Sequence, residues 1–111
     1  MAQQKTIICD IDGVLCNNKR VPYFQKKPNF STIFHLRKFY YGGYKIILFT
    51  SRLSKYREST KRWLGKFKVP YHQLIMNKPK GDYYIDDKAI KDIRKIKFVG
   101  RYEMRARIYA L

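Results

Sequence analysis

The chain has 111 residues, 45% of them hydrophobic, and its 25 Lys and Arg against 8 Asp and Glu leave a formal net charge of +17. That length gives one domain, 1–111, with a real core and no second folding unit, and no apolar run reaches the roughly 18 residues of a membrane-spanning helix. Two cysteines cannot build a disulfide framework, and the opening Met1-Ala2-Gln3-Gln4-Lys5 lacks a secretory apolar stretch, so a cytoplasmic protein with no membrane partner is expected.

In chain order, the first strand is predicted over Lys5–Asp10, where Thr6-Ile7-Ile8-Cys9 runs into Asp10-Ile11-Asp12-Gly13-Val14. Side chains alternate along an extended chain, so Asp10 and Asp12 leave the strand end on the same side, and Gly13 permits a sharp turn there. Cys9 alternates with the acids and reads as a small core residue. From Val14 to Lys27, Asn17-Asn18 marks a turn, which predicts a small flap or hairpin over the acidic pair. Pro28 and Asn29 open a helix with Phe30, Ile33, Phe34, Leu36, Phe39 and Tyr40 at helical spacing, and Gly42-Gly43 stop it.

The second strand, Tyr44–Phe49, ends in Thr50-Ser51-Arg52, two hydroxyls and a guanidinium suited to an oxyanion. Ser54 is expected to cap the next helix, with Tyr56, Thr60, Trp63, Leu64 and Phe67 on one face, ended by Val69-Pro70. Short strands at Gln73–Met76 and Asp82–Ile85 follow, then a short helix around Ala89, Ile90, Ile93 and Ile96. The tail from Phe98 fits an edge strand or a helix. Alternating strands and helices joined by short loops imply right-handed crossovers and a parallel sheet covered on both faces, with every carboxyl end on one edge. Ligands of such sheets bind outside that edge, where Asp10, Asp12, Thr50, Asp86 and Asp87 converge.

Four of the eight acids form the pairs Asp10/Asp12 and Asp86/Asp87, each ending a short apolar run. Paired carboxylates without a His or Cys cluster favour a hard cation, magnesium above all, completed by waters and a substrate phosphate oxygen. Lys78 or Lys80, just past the third strand, can balance the negative charge. The surplus of positive charge attracts phosphorylated or polyanionic partners, nucleic acid among them, although Lys and Arg are dispersed and mark no single groove.

The order D-x-D-G-V, Thr50, Lys78 and Asp86-Asp87 resembles the haloacid dehalogenase (HAD) superfamily over Lys5–Ile90. The resemblance implies a three-layer, Rossmann-like α/β sandwich with a parallel central sheet. It implies Asp10 as a nucleophile that forms an aspartyl-phosphate, and Asp12 as the acid that protonates the leaving oxygen and then activates water. Thr50 would hold phosphoryl oxygens, with Ser51 and Arg52 as substrate contacts, and Lys78 would orient the nucleophile. Mg2+ would lie on the Asp10 carboxylate, the Asp12 main-chain carbonyl and Asp86, with Asp87 close by. The spacings between motifs leave no room for a cap domain, so the chain resembles capless members, which act on the ends of large molecules or close the site with a second copy. Asn77-Lys78-Pro79 and Tyr84-Ile85-Asp86-Asp87-Lys88-Ala89-Ile90 are most similar to small capless phosphatases of capsular polysaccharide biosynthesis.

The leading expectation is a magnesium-dependent phosphomonoesterase acting on a sugar phosphate or similar small ester. A nucleotidase or polynucleotide-end phosphatase suits the charge and the open site. A basic nucleic-acid-binding module on the same scaffold is the non-enzymatic alternative; it is disfavoured because every expected catalytic position is filled. A response-regulator phosphoacceptor also uses Asp, Thr and Lys, in a different order.

Overall fold

The computed structural model describes residues 3–99. It is an α/β fold built on a parallel sheet of three strands in the order β1 (Thr6–Cys9), β2 (Lys45–Phe49), β3 (Gln73–Ile75). Helix α1 (Phe30–Tyr41) connects the first pair and α2 (Arg57–Lys66) the second. In-order parallel strands with right-handed crossovers put both helices on the same face of the sheet. The register agrees: Ile7 pairs with Ile46, Cys9 with Leu48 and Leu48 with Leu74. That row faces a core shared with Ile33, Leu36 and Phe39 of α1 and with Trp63 and Leu64 of α2. Both cysteines, Cys9 and Cys16, are buried free thiols within it.

Local chemistry accounts for the elements. Asn29 caps α1, its side chain accepting from the Thr32 N–H at 3.2 Å. Gly42 closes the helix, and Gly43 turns the chain at φ 96° into β2. Ser54 does not cap α2. It begins a 3-10 turn, Ser54–Tyr56, that leads directly into the helix, whose first residue follows Tyr56 with no side-chain cap. The turn satisfies backbone groups that a cap would otherwise have to serve.

Two further expectations change. Asp82–Ile85 forms no strand; Tyr83 is 88% and Ile85 99% exposed, because that stretch hydrogen-bonds locally, Tyr84 Oη donating to the Pro79 carbonyl at 2.7 Å. The predicted last helix shrinks to a 3-10 turn, Ile93–Lys95, begun by the Asp92 side chain accepting from Arg94 N–H. On the face of the sheet opposite that core, Ile8 is 65% exposed, while Ile47 and Phe49 of β2 are half-buried. Of the tail, Phe98 stacks on Tyr44 and packs edge-on against Phe39, and residues 100–111 lie outside the described part. Among the described residues nothing is inserted between the motifs beyond the flap, and no cap domain is present. Among the described residues no helix is long and apolar enough to cross a membrane.

Candidate active site

β1 ends at Cys9, and the next turns deliver both acids to the carboxyl edge of the sheet. Leu15 N–H and Cys16 N–H both donate to the Ile11 carbonyl, at 2.9 and 3.3 Å, and Gly13 adopts φ 87° between them. That tight loop holds Asp10 and Asp12 at the mouth of a cavity of about 430 Å³, which Ser51, Asn18, Lys80, Asp82 and Tyr84 also line. A second cavity, of about 340 Å³, lies beside Gly13 at the start of α1 and reaches neither acid.

Asp10 faces Lys78, whose Nζ lies 3.8 Å from Oδ2, while Oδ1 accepts from the Ile11 N–H at 2.8 Å. Burial pushes the Asp10 carboxyl above its ordinary value, and Lys78 pulls against that shift. Lys78 is placed by main-chain bonds to the end of β2: its N–H donates to the Thr50 carbonyl at 2.8 Å, and Asn77 N–H donates to the Arg52 carbonyl at 2.9 Å. Its ammonium also lies over the Tyr84 ring, 4.3 Å from the centroid. Of the two candidate lysines, Lys78 is therefore the one paired with Asp10, and Lys80 lines the cavity.

Asp12 sits in a clamp. Arg52 donates through Nε to Oδ2 at 2.9 Å and through Nη2 to Oδ1 at 2.8 Å, and Lys26 Nζ lies 2.9 Å from Oδ1. Burial alone would raise this carboxyl, but the hydrogen bonds and charges of Arg52 and Lys26 outweigh it and hold the group down at about 2. Both cations are buried, Lys26 at 7% and Arg52 at 2% exposure. Arg52 also donates to Thr60 Oγ1 at 3.1 Å and lies 3.9 Å over the Tyr23 ring. Cys16 Sγ reaches Asp12 Oδ1 at 3.5 Å; burial and the Asp12 charge push that thiol up to about 11, so it is protonated at neutral pH.

The clamp changes the expected part of Arg52. Its guanidinium is turned inward onto Asp12 and does not line the cavity, whereas Ser51 does. Thr50 is fully buried, and its hydroxyl accepts from the Arg52 N–H at 3.1 Å. Asp86 and Asp87 lie on the exposed stretch after Ile85, where Asp86 Oδ1 accepts from the Lys88 N–H at 2.9 Å, and neither lines the acid-pair cavity. Among the described residues no group of three or more His, Cys, Asp or Glu gathers as a metal cage. Lys26, Tyr23 and Thr60 carry no signal in the sequence, since a basic residue in a charged flap looks like any surface lysine until the fold brings it to Asp12.

A family model described as the polynucleotide kinase PNKP phosphatase domain matches residues 4–108. An MCSG target from Vibrio cholerae has a solved structure 25% identical to this chain, covering 85% of it and 90% of that protein, with a TM-score of 0.72. A chain of the Pnkp1/Rnl/Hen1 complex is 35% identical over 79% of this chain, and one from the Pnkp1/Rnl/Hen1 RNA repair complex is 36% identical over 75%, each with a TM-score of 0.60. The present chain spans only 32% and 30% of those two chains. No curated protein matches it.

Proposed function

The chain belongs to the HAD_PNKP family, the phosphatase domain of polynucleotide kinase PNKP, and on that premise we propose that this HAD-type phosphatase removes a terminal phosphate from a polynucleotide. The observation that carries the chemistry is the Asp10 carboxylate, opening into an uncapped cavity with Lys78 at 3.8 Å and Asp12 beside it. In the first step an Asp10 oxygen bonds to phosphorus, the bond from phosphorus to the leaving oxygen breaks, and that oxygen takes a proton from Asp12, which carries one when the negative charge of the bound phosphate counters the clamp that keeps it ionised in the free protein. In the second, water attacks the aspartyl-phosphate and gives its proton to Asp12, releasing phosphate and restoring Asp10. Lys78 keeps the Asp10 oxygen oriented and offsets the incoming charge. Ser51 and Lys80, both on the cavity wall, are the substrate contacts this arrangement offers.

The donor set suits magnesium: carboxylate and carbonyl oxygens, with neither histidine nor thiolate at the mouth. The Asp10 carboxylate and the Asp12 main-chain carbonyl would hold the ion; Asp86 and Asp87, which do not line this cavity, would join them as further ligands only with a movement of the exposed stretch after Ile85. Bound there, it would supply Lewis-acid stabilisation of phosphoryl charge.

The polynucleotide end takes precedence over the small sugar phosphate expected from sequence. Two matched chains come from a complex that contains Pnkp1, one of them described as an RNA repair complex, and a net charge of +17 together with an uncapped site suits a long polyanionic strand. The test is a panel of sugar phosphates, nucleotides and oligonucleotides phosphorylated at the 3′ or 5′ end, assayed with magnesium and repeated with Asp10→Asn. Release from an oligonucleotide end at the highest kcat/KM, lost in the variant, is expected. A sugar phosphate turned over faster overturns the substrate assignment, and undiminished turnover by the variant overturns the mechanism.

A further inference from the structure

The two oxygens of Asp12 are not equivalent. Oδ1 is taken by Arg52 Nη2 at 2.8 Å, by Lys26 Nζ at 2.9 Å and by the Cys16 thiol at 3.5 Å. Oδ2 accepts only from Arg52 Nε, at 2.9 Å, among the described residues. A carboxylate oxygen offers two lone pairs, so Oδ1 is saturated and Oδ2 keeps one free.

Lys26 is fixed in turn by its own surroundings. Its main-chain carbonyl accepts from the Trp63 indole at 2.9 Å, and its ammonium lies 5.6 Å from the centroid of the Tyr23 ring. Tyr23 begins the 3-10 turn Tyr23–Gln25, sits edge-on to Tyr56 at 5.2 Å, and carries Arg52 on its face. The flap and α2 thus meet on either side of the acid and leave its side chain one orientation.

From this asymmetry we propose that Lys26, acting with Arg52, is a positioning residue that occupies Oδ1 and so makes Oδ2 the oxygen that exchanges the proton with the leaving group. The inference rests on the reading of Asp12 as the acid of the first step. The proton passes from Asp12 Oδ2 to the departing oxygen as the P–O bond breaks, and Asp12 is left as the clamped carboxylate seen here. Neither cation touches substrate. Both act through the aim of the carboxyl, and proton transfer is sensitive to small losses of alignment.

A positioning role and a structural role give different leaving-group dependence. An alkyl phosphate, such as the end of an oligonucleotide, needs its leaving oxygen protonated, whereas p-nitrophenyl phosphate departs as a stable anion and needs little help. Lys26→Met, checked for folding by circular dichroism, is expected to lower kcat on the phosphorylated oligonucleotide by roughly 10- to 100-fold, part of the total a general acid contributes. The loss on p-nitrophenyl phosphate is expected to be at least tenfold smaller, with KM little changed on either substrate. Lys26→Arg, which can still reach Oδ1, should recover most of the oligonucleotide activity. Should Lys26→Met fail to fold, Arg52→Lys keeps the charge and gives up the fork, and the same selective loss is expected. Equal slowing of both substrates overturns the proposal. Asp12→Asn, run alongside, separates the two levels: if it slows both substrates equally, Asp12 is not the acid and the underlying reading falls. If it is selective while Lys26→Met is not, only the positioning role falls.

Discussion

Trp63 of α2 donates its indole N–H to the main-chain carbonyl of Lys26 at 2.9 Å, and this single bond ties the flap to the second helix. Trp63 is 3% exposed, so the carbonyl it serves has no ready access to water. Trp63→Phe keeps most of the ring and removes only the donor. An unpaired buried acceptor costs about 1–3 kcal/mol, and lost ring packing adds to that. Urea unfolding should show a fall in stability of about 2 kcal/mol or more. A change below about 0.5 kcal/mol would mean that the flap is held by other contacts.

Asp12 and the clamp set an acid limit to stability. The folded carboxyl titrates near 2 and the unfolded one near the ordinary 3.8, so the clamp contributes stability that is fully present above 3.8 and lost as pH falls through about 2. Asp10 works with the opposite sign: its value is raised, so stability is gained as the pH falls through it, and that change lies above 3.8. Asp92, held near 2 by its hydrogen bonds from Arg94, shares the lower window and is present in both proteins compared. The stability gap between wild type and Asp12→Asn should therefore be constant from pH 7 to about pH 5 and close between about pH 4 and pH 2. Denaturant unfolding across that range checks it, and a gap independent of pH would contradict the clamp.

Much of this fold is legible because local signals and long-range packing agree. Asn29, Gly42 and Gly43 mark the ends of α1, and the apolar positions Ile33, Leu36 and Phe39 become its buried face. The runs before Asp10 and Thr50 become adjacent parallel strands, as the alternation of strands and helices implies. Tyr83-Tyr84-Ile85 misleads, since three apolar residues satisfy a strand pattern without specifying a neighbour to pair with. The acid pair and Lys78 stand out because the chain has few carboxylates, but the clamp does not. Lys26 and Arg52 lie 14 and 40 positions from Asp12, a separation over which no periodicity operates. Arg52 beside Thr50 and Ser51 suggests an anion on the substrate, and only the fold reveals that the anion it holds is Asp12.

Chelation should silence the enzyme. Asp10 carries a carboxyl already raised by burial, and a dianionic phosphate beside it needs more positive charge than Lys78 alone supplies. Phosphate release should vanish in excess EDTA and return on adding magnesium, with a magnesium-dependent rise in melting temperature as a readout independent of turnover. Asp86→Ala should raise the magnesium concentration needed for half-maximal activity more than Asp87→Ala. Full activity in chelator would remove the metal from the proposed reaction, and equal effects of the two alanines would leave the primary ligand misassigned.

The substrate reading makes its own prediction about salt. Each phosphate neutralised by Lys or Arg releases counterions, so affinity for a single strand falls by roughly 0.7 log unit per log unit of salt for each contact. A small sugar phosphate makes one such contact at its reacting group. A strand leaving an uncapped site runs on over the protein, and Lys80 on the cavity wall together with exposed Lys19 and Arg20 on the flap lies in positions to meet its backbone. For a phosphorylated oligonucleotide of about ten residues, log(1/KM) against log salt should therefore slope at least twice as steeply as for a mononucleotide carrying the same terminal phosphate. Replacing Lys19 and Arg20 together by Gln should flatten the oligonucleotide slope by about one unit or more and leave the mononucleotide slope alone. Identical slopes for the two substrates would show that only the terminal phosphate is held, and the charge of +17 would then have no part in substrate binding.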